Sequence, residues 1–223
     1  MISKDKFDEV LNNYKNLKSL LEKNCDLEVN YADYEFKNMK DSEFLWVGES
    51  PYSDGNKVAS QAFDVKGGVL KGAGKNLNEM AKFWLRLDDK LKNEYSDILD
   101  NTETIFDASQ KLKINLINAY PIIVEKEEWT DDDSEKLKSL LSENFALGVK
   151  KENQWLIDLK NGWLSTLLHK YKPENVYSFG IKAYERVNVG QKLLHPALRN
   201  VDFEVLSQDY LVSDSLFRKV FKM

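Results

Sequence analysis

Three predicted buried strands are each followed by polar side chains of types that could carry out chemistry. Glu49 and Ser50 come directly after the apolar run of residues 44–47, Asn118 ends a second apolar run, and His195 ends a third. In an open α/β sheet, ligands bind in the loops beyond the carboxyl ends of the strands. A carboxylate or an imidazole there can transfer protons, and a hydroxyl can hold a water molecule. These positions therefore predict an active site.

The elements that must position these residues alternate between strand and helix. Apolar runs predict strands at residues 44–48, 113–119, 176–180 and 192–195. Helical periodicity and capping residues predict helices at residues 3–23, from Asn76 onward, and at 89–99, 134–146 (after Thr130), 153–171 and 213–223. This alternation implies a mainly parallel sheet covered on both faces. We therefore predict an α/β fold, a three-layer α/β/α sandwich with a central, mainly parallel four-stranded sheet.

The composition is that of one globular domain. The chain has 223 residues, of which 42% are hydrophobic and 31% charged, so we expect a single domain over residues 1–223, with residues 1–40 as a helix and connector packed on it. The lone Cys25 excludes an internal disulfide and favours a reducing, cytoplasmic location. With His169 and His195 as the only histidines, we expect no metal site, no cofactor and no membrane segment.

The charge is acidic, which disfavours nucleic-acid binding without excluding it. The formal net charge is −5, whereas contacts to phosphates usually need a basic surface. A local patch can still form, because several basic residues lie in or near the proposed site loops: Lys66, Lys71, Lys75, Lys182 and Arg199.

The spacing of these segments resembles that of the uracil-DNA glycosylase superfamily. The first motif of its family 1, Gly-Gln-Asp-Pro-Tyr-His followed by Ala-Phe-Ser-Val, is matched without a gap at Gly48, Pro51, Tyr52, Ala62, Phe63 and Val65. Residues 114–119 resemble the family's Leu-Leu-Leu-Asn-Ala strand, and residues 193–198 resemble its His-Pro-Ser-Pro-Leu loop. The Gly-Glu-x-Pro form with Glu49 is closer to family 4, so the chain looks like a divergent member of the superfamily.

The resemblance implies a pocket that receives a base flipped out of DNA. Phe63 would stack on the base, and Asn118 would read the pyrimidine edge with its amide. His195 would donate to the carbonyl oxygen that gains negative charge as the glycosidic bond breaks. Tyr52 would exclude thymine by crowding its 5-methyl group.

The resemblance also implies where DNA would be held. Ser53 and Lys75 would contact phosphates. Leu198 or Arg199 would fill the gap left by the flipped base. The expected partner is therefore DNA, and we expect a monomer.

Three residues depart from the family 1 pattern. Ser50 stands where the family has the aspartate that positions the attacking water, Ser53 replaces a histidine, and Ala197 replaces a serine. A serine hydroxyl can hold a water molecule but adds no charge, and a general base typically contributes about 10² to 10⁴-fold. A slower enzyme is therefore one expectation.

A neighbouring carboxylate is a second way to activate the water. Glu49 is the first choice, ahead of Asp54 and Asp64. The objection to Glu49 is geometric, because adjacent residues in an extended segment point to opposite sides.

The favoured hypothesis is thus a monofunctional DNA glycosylase that leaves an abasic site, since no lysine is obviously placed for Schiff-base chemistry. A catalytically weak or inactive nucleic-acid or protein-binding module on the same fold is the main alternative. The same chemistry on another altered pyrimidine is a second. An unrelated α/β hydrolase or nucleotide-binding domain is a third.

Overall fold

The computed structural model describes residues 3–25, 28–31, 41–50, 114–141, 145–151 and 153–196, together with the helical positions Asp89, Asn93 and Ser96. Its helices and strands in chain order are α1 (Lys4–Cys25), β1 (Glu28–Tyr31), β2 (Phe44–Gly48), β3 (Ile114–Asn118), β4 (Ile122–Glu125), α2 (Asp131–Leu141), β5 (Phe145–Lys151), β6 (Gln154–Leu159), α3 (Trp163–Leu168), a short 3-10 helix (Pro173–Asn175), β7 (Val176–Phe179), α4 (Ile181–Val187) and β8 (Gln191–Leu193). None of these helices combines the length and apolarity that crossing a bilayer requires.

The central sheet contains four parallel strands in the order β3-β2-β7-β8. Gly48 pairs with Asn118 at one end of the register, and Phe179 pairs with Leu193. The carboxyl ends of all four strands therefore lie along one edge of the sheet, which we call the carboxyl edge. The prediction of an α/β fold with a parallel four-stranded sheet is confirmed, although its last strand begins at Gln191 and ends before His195.

The two faces of this sheet are covered by different sets of side chains. Leu45, Val47 and Ile117 belong to the main core, which also contains buried residues of α1 and β6. Trp46 and Phe179 lie outside that core and pack against each other, with ring centroids 5.6 Å apart. Because side chains alternate along a strand, these residues define a core face and a tryptophan face of the sheet.

A second, antiparallel sheet has the order β1-β4-β6-β5. The sequence-based helix over 153–171 is therefore wrong in its first half, because residues 154–159 form β6 and only 163–168 are helical. Trp155, Leu156 and Ile157 are consecutive and buried, so both faces of β6 are covered. A continuous apolar run of this kind does not distinguish a central strand from a buried helix by periodicity.

The predicted helix at 134–146 is displaced in the structure. It begins at Asp131 and ends at Leu141, and Phe145 already belongs to β5. The start after Thr130 is confirmed: its hydroxyl accepts a hydrogen bond from the Asp133 backbone N–H at 3.1 Å, and the Asp133 carboxylate accepts one from the Thr130 N–H at 3.1 Å. This reciprocal pairing satisfies two N–H groups at the start of the helix.

The amphipathic helix predicted over 3–23 is confirmed as α1, whose buried stripe is Val10, Tyr14, Leu17 and Leu21. The terminal helix predicted over 213–223 lies outside the described residues, as does most of the region predicted helical between Asn76 and residue 99.

A buried polar cluster joins α1, β6 and α4. The Asp158 carboxylate is fully buried and accepts hydrogen bonds from the Tyr14 hydroxyl at 2.8 Å and from Arg186 Nη2 at 2.6 Å. The Tyr14 oxygen in turn accepts the Trp163 backbone N–H at 3.1 Å. Burial raises the pKa of Asp158 to about 6, although Arg186 and the hydrogen bonds lower it in part. One carboxylate thus holds three elements together in the core.

Candidate functional site

The carboxyl edge is extended by hydrogen bonds beyond the ends of the strands. The Ala119 N–H donates to the Gly48 carbonyl at 2.8 Å, and the Tyr120 N–H donates to the Glu49 carbonyl at 3.0 Å. The chain segments that leave β2 and β3 therefore stay paired for two residues past the sheet. Their positions are set by backbone geometry, so the side chains that they carry are held in fixed directions.

Asn118 is buried at the end of β3, on the tryptophan face. It lies two residues after Leu116, which pairs with Trp46, and side chains two apart along a strand share a face. Its partner across the ladder is Gly48.

His195 lies against the end of the neighbouring strand β7. A Cβ atom added to Gly180 would lie 3.3 Å from both Cβ and Cδ2 of His195. The Gly180 N–H also donates to the Leu193 carbonyl at 2.8 Å, which ties the end of β8 to the end of β7. The imidazole therefore packs against the backbone of Gly180. It lies at the end of β7, one strand in from the edge strand β8.

Gly180 itself has a conformation that other residues rarely adopt, with φ 98° and ψ 160°. We expect Gly180→Ala to lower the free energy of unfolding by about 1–3 kcal/mol, because this backbone region is nearly exclusive to glycine. The new methyl group should also displace His195. Urea unfolding measures the first effect, and the imidazole NMR signals of His195 measure the second. A stable variant with unchanged His195 signals would contradict this description of the contact.

Glu49 turns to the core face. Its carboxylate Oε1 lies 3.7 Å from Nζ of Lys182 on α4. Burial raises the pKa of the nearby Tyr120 hydroxyl, Arg186 lowers it, and the charge of Glu49 is among the acidic groups that raise it further. The ion pair places the Glu49 carboxylate beside α4, whose Ala183 and Val187 belong to the main core, and therefore on the side of the sheet opposite the Asn118 amide.

Ser50 follows Glu49 and is half-buried. Glu49 and Ser50 form a bend after β2, so strand alternation does not extend to the Ser50 side chain. The carboxyl edge therefore carries the Asn118 amide on the tryptophan face and the Glu49 carboxylate on the core face, with His195 against Gly180 at the end of β7.

The remaining residues predicted from the sequence lie outside the described residues: Tyr52, Ser53, Phe63, Lys75, Leu198 and Arg199. Sequence reasoning missed two features of the carboxyl edge. The apolar run predicts a strand that includes Gly180, whereas β7 ends at Phe179, and a glycine directly after an apolar strand signals close approach of another group. Lys182 was noted only for its charge, and nothing in the sequence indicates its pairing with Glu49.

Within the part of the chain that the structure describes, no three His, Cys, Asp or Glu side chains are grouped so as to hold a metal ion. The geometry thus defines a polar site at the carboxyl edge of a parallel sheet in an α/β protein. A scan against protein-family models finds no match to the chain, and a search of curated proteins finds none either.

Proposed function

We propose that this protein is a DNA glycosylase of the uracil-DNA glycosylase superfamily, which hydrolyses the N-glycosidic bond of uracil or a related altered base. The observation that carries the proposal is the joint placement of Asn118 and His195 at the carboxyl edge of the parallel sheet. These are the two positions at which the chain resembles the base-reading and oxyanion-stabilising residues of that superfamily.

The spacing of the two groups suits a flat base. Asn118 ends β3, His195 leans over the end of β7, and β2 lies between them. Two strand spacings correspond to roughly 10 Å between backbones, and the strand between them ends in Gly48. A pyrimidine placed above Gly48 would meet an amide on one side and an imidazole on the other.

The reaction follows from these groups. The flipped base would be read by the Asn118 amide while an imidazole N–H of His195 donates to its carbonyl oxygen. As the bond between the sugar carbon and the base nitrogen breaks, its electron pair leaves with the base, and the His195 donor stabilises the negative charge. Water then forms the new bond to the sugar carbon and releases a proton to solvent, and the base anion takes up a proton, which leaves an abasic site and a free base.

We assign the water to Ser50 rather than to Glu49. The Glu49 carboxylate contacts Lys182 on the core face, away from the Asn118 amide, whereas the resemblance places Ser50 at the position of the family's water-holding aspartate. A hydroxyl orients water without supplying negative charge, so the enzyme should be slower than one with a carboxylate there. Phe63 and Tyr52 are proposed to line the pocket; Ser53, Lys75, Leu198 and Arg199 are proposed to contact DNA. The proposed protein acts as a monomer in the cytoplasm, in keeping with its lone Cys25.

The test is incubation with single- and double-stranded oligonucleotides that carry uracil or one of a panel of altered bases, followed by alkali to break the chain at abasic sites. We expect cleavage at one class of altered pyrimidine by the wild-type protein. Cleavage at a base other than uracil would support the proposed reaction and identify that base as the substrate.

A second candidate function is a binding module without catalysis. It is favoured by the absence of a carboxylate on the Asn118 side of the carboxyl edge among the described residues, since Glu49 turns away. Tight binding to the same oligonucleotides by folded protein, with no cleavage of any of them, would replace the enzyme by this module.

A further inference from the structure

Glu49 lies close to the chain segments that follow β2, β3 and β7. Its backbone carbonyl accepts the Tyr120 N–H at 3.0 Å, which links the exit of β2 to that of β3. Its side chain lies 3.7 Å from Nζ of Lys182, on the helix that follows β7. The two side chains are 18% and 33% exposed, respectively, so solvent screens the ion pair only in part.

We propose that Glu49 is a positioning residue, held by Lys182, that fixes the segment following β2 and thereby the direction of the Ser50 hydroxyl. This inference rests on the proposed function for its effect on catalysis. The contact itself, which we call the Glu49 clamp, consists of Glu49, Lys182 and the Tyr120 N–H.

The geometry separates this role from that of a general base. To reach a water molecule on the tryptophan face, the Glu49 carboxylate would have to leave Lys182 and cross to the other side of the sheet. Its carbonyl is fixed by Tyr120, which opposes such a rotation of the backbone.

The clamp has a direct consequence for Ser50. The two residues share one peptide unit, so any rotation at Glu49 redirects the Ser50 hydroxyl. Misplacement of a catalytic group by about 1 Å can lower a rate by roughly 10²-fold. Loss of the clamp should therefore reduce catalysis even though Glu49 touches no reacting atom.

Charge reversal tests the clamp. We expect Glu49→Lys and Lys182→Glu alone each to lower kcat/KM for the best substrate by about 10- to 100-fold, because each places like charges side by side. The double variant restores an opposite pair and should recover most of the activity. A double variant as impaired as the single variants would overturn the proposal, because a base at position 49 cannot be replaced by lysine.

The pH profile gives an independent readout. In Glu49→Gln, the pH profile of kcat/KM should keep the shape of the wild-type profile, since the clamp carboxylate takes no proton during the reaction. An acidic limb present in the wild type and absent from Glu49→Gln would identify Glu49 as the base and overturn the proposal. As a matched control, the surface pair Lys18 and Glu22 on α1, 3.1 Å apart, should tolerate the same exchange of charges with no change in rate.

Hydrogen exchange separates failure of the clamp from failure of the proposed function. The Tyr120 amide should exchange faster in Glu49→Lys and in Lys182→Glu, and it should regain protection in the double variant. This result is expected even if the wild-type protein cleaves no oligonucleotide. Equal exchange of the Tyr120 amide in all four proteins would overturn the clamp, whatever the activity.

Discussion

Replacing His195 by alanine should lower the single-turnover rate of base excision by about 10²- to 10³-fold, the typical loss when one donor to a developing oxyanion is removed. The effect should fall on the chemical step rather than on DNA binding, because the donor acts as charge moves onto the base. His195 is half-buried, so the protein should remain folded. Rapid-quench measurements at saturating protein give the rate directly.

The control for this prediction is the second histidine. His169 is the C-cap residue of α3, and His169→Ala should leave the excision rate unchanged. His195→Gln keeps an N–H donor and should lose less than His195→Ala. A His195→Ala protein that excises at the wild-type rate would show that the imidazole has no part in the reaction.

The largest effect on stability is expected at Asp158. We expect Asp158→Ala to lower the free energy of unfolding by about 3–5 kcal/mol, since removal of one partner leaves the other charge buried without compensation. Arg186 would lose its carboxylate partner, and the Tyr14 hydroxyl would lose its acceptor. Urea unfolding at neutral pH measures the change. Asp132→Ala, at an exposed position at the start of α2, serves as the control and should be close to neutral.

The stability that depends on Asp158 should also change with pH. Its pKa is raised from 3.8 to about 6 by burial, so the native state binds the proton more tightly than the unfolded state does. The resulting stabilisation is fully present below about pH 4 and is lost as the pH rises through 6, by up to about 3 kcal/mol. The free energy of unfolding of the wild type, relative to Asp158→Asn, should fall over this interval. A rise would show that Arg186 outweighs desolvation.

The two central strands of the parallel sheet, β2 and β7, could be predicted because each has a simple signature. Residues 44–48 and 176–179 are short apolar runs that end in glycine or just before it. Since parallel strands buried on both faces read as continuous apolar runs, these two runs were unambiguous. Residues 155–159 have a similar composition, but they adjoin the helical segment 163–168, and the two together mimic one long amphipathic helix.

The sequence predicts which strand ends carry the residues of the site. Asn118 and His195 were placed at the carboxyl edge because each follows an apolar run, and the structure places them there. The sequence does not predict which group the Glu49 carboxylate contacts. Its partner, Lys182, lies 133 positions later in the chain. Contacts of this kind arise from tertiary packing and leave no local pattern in the sequence.

The most direct test of base excision is mass spectrometry of the free base released from oligonucleotides by wild-type protein and by Asn118→Ala. We predict release of one altered pyrimidine by the wild type, with an abasic strand as the co-product. The Asn118→Ala protein should bind the same DNA and release no detectable base. A folded wild-type protein that releases no base from any substrate, or an Asn118→Ala protein that releases it as fast as the wild type, would contradict the proposed site.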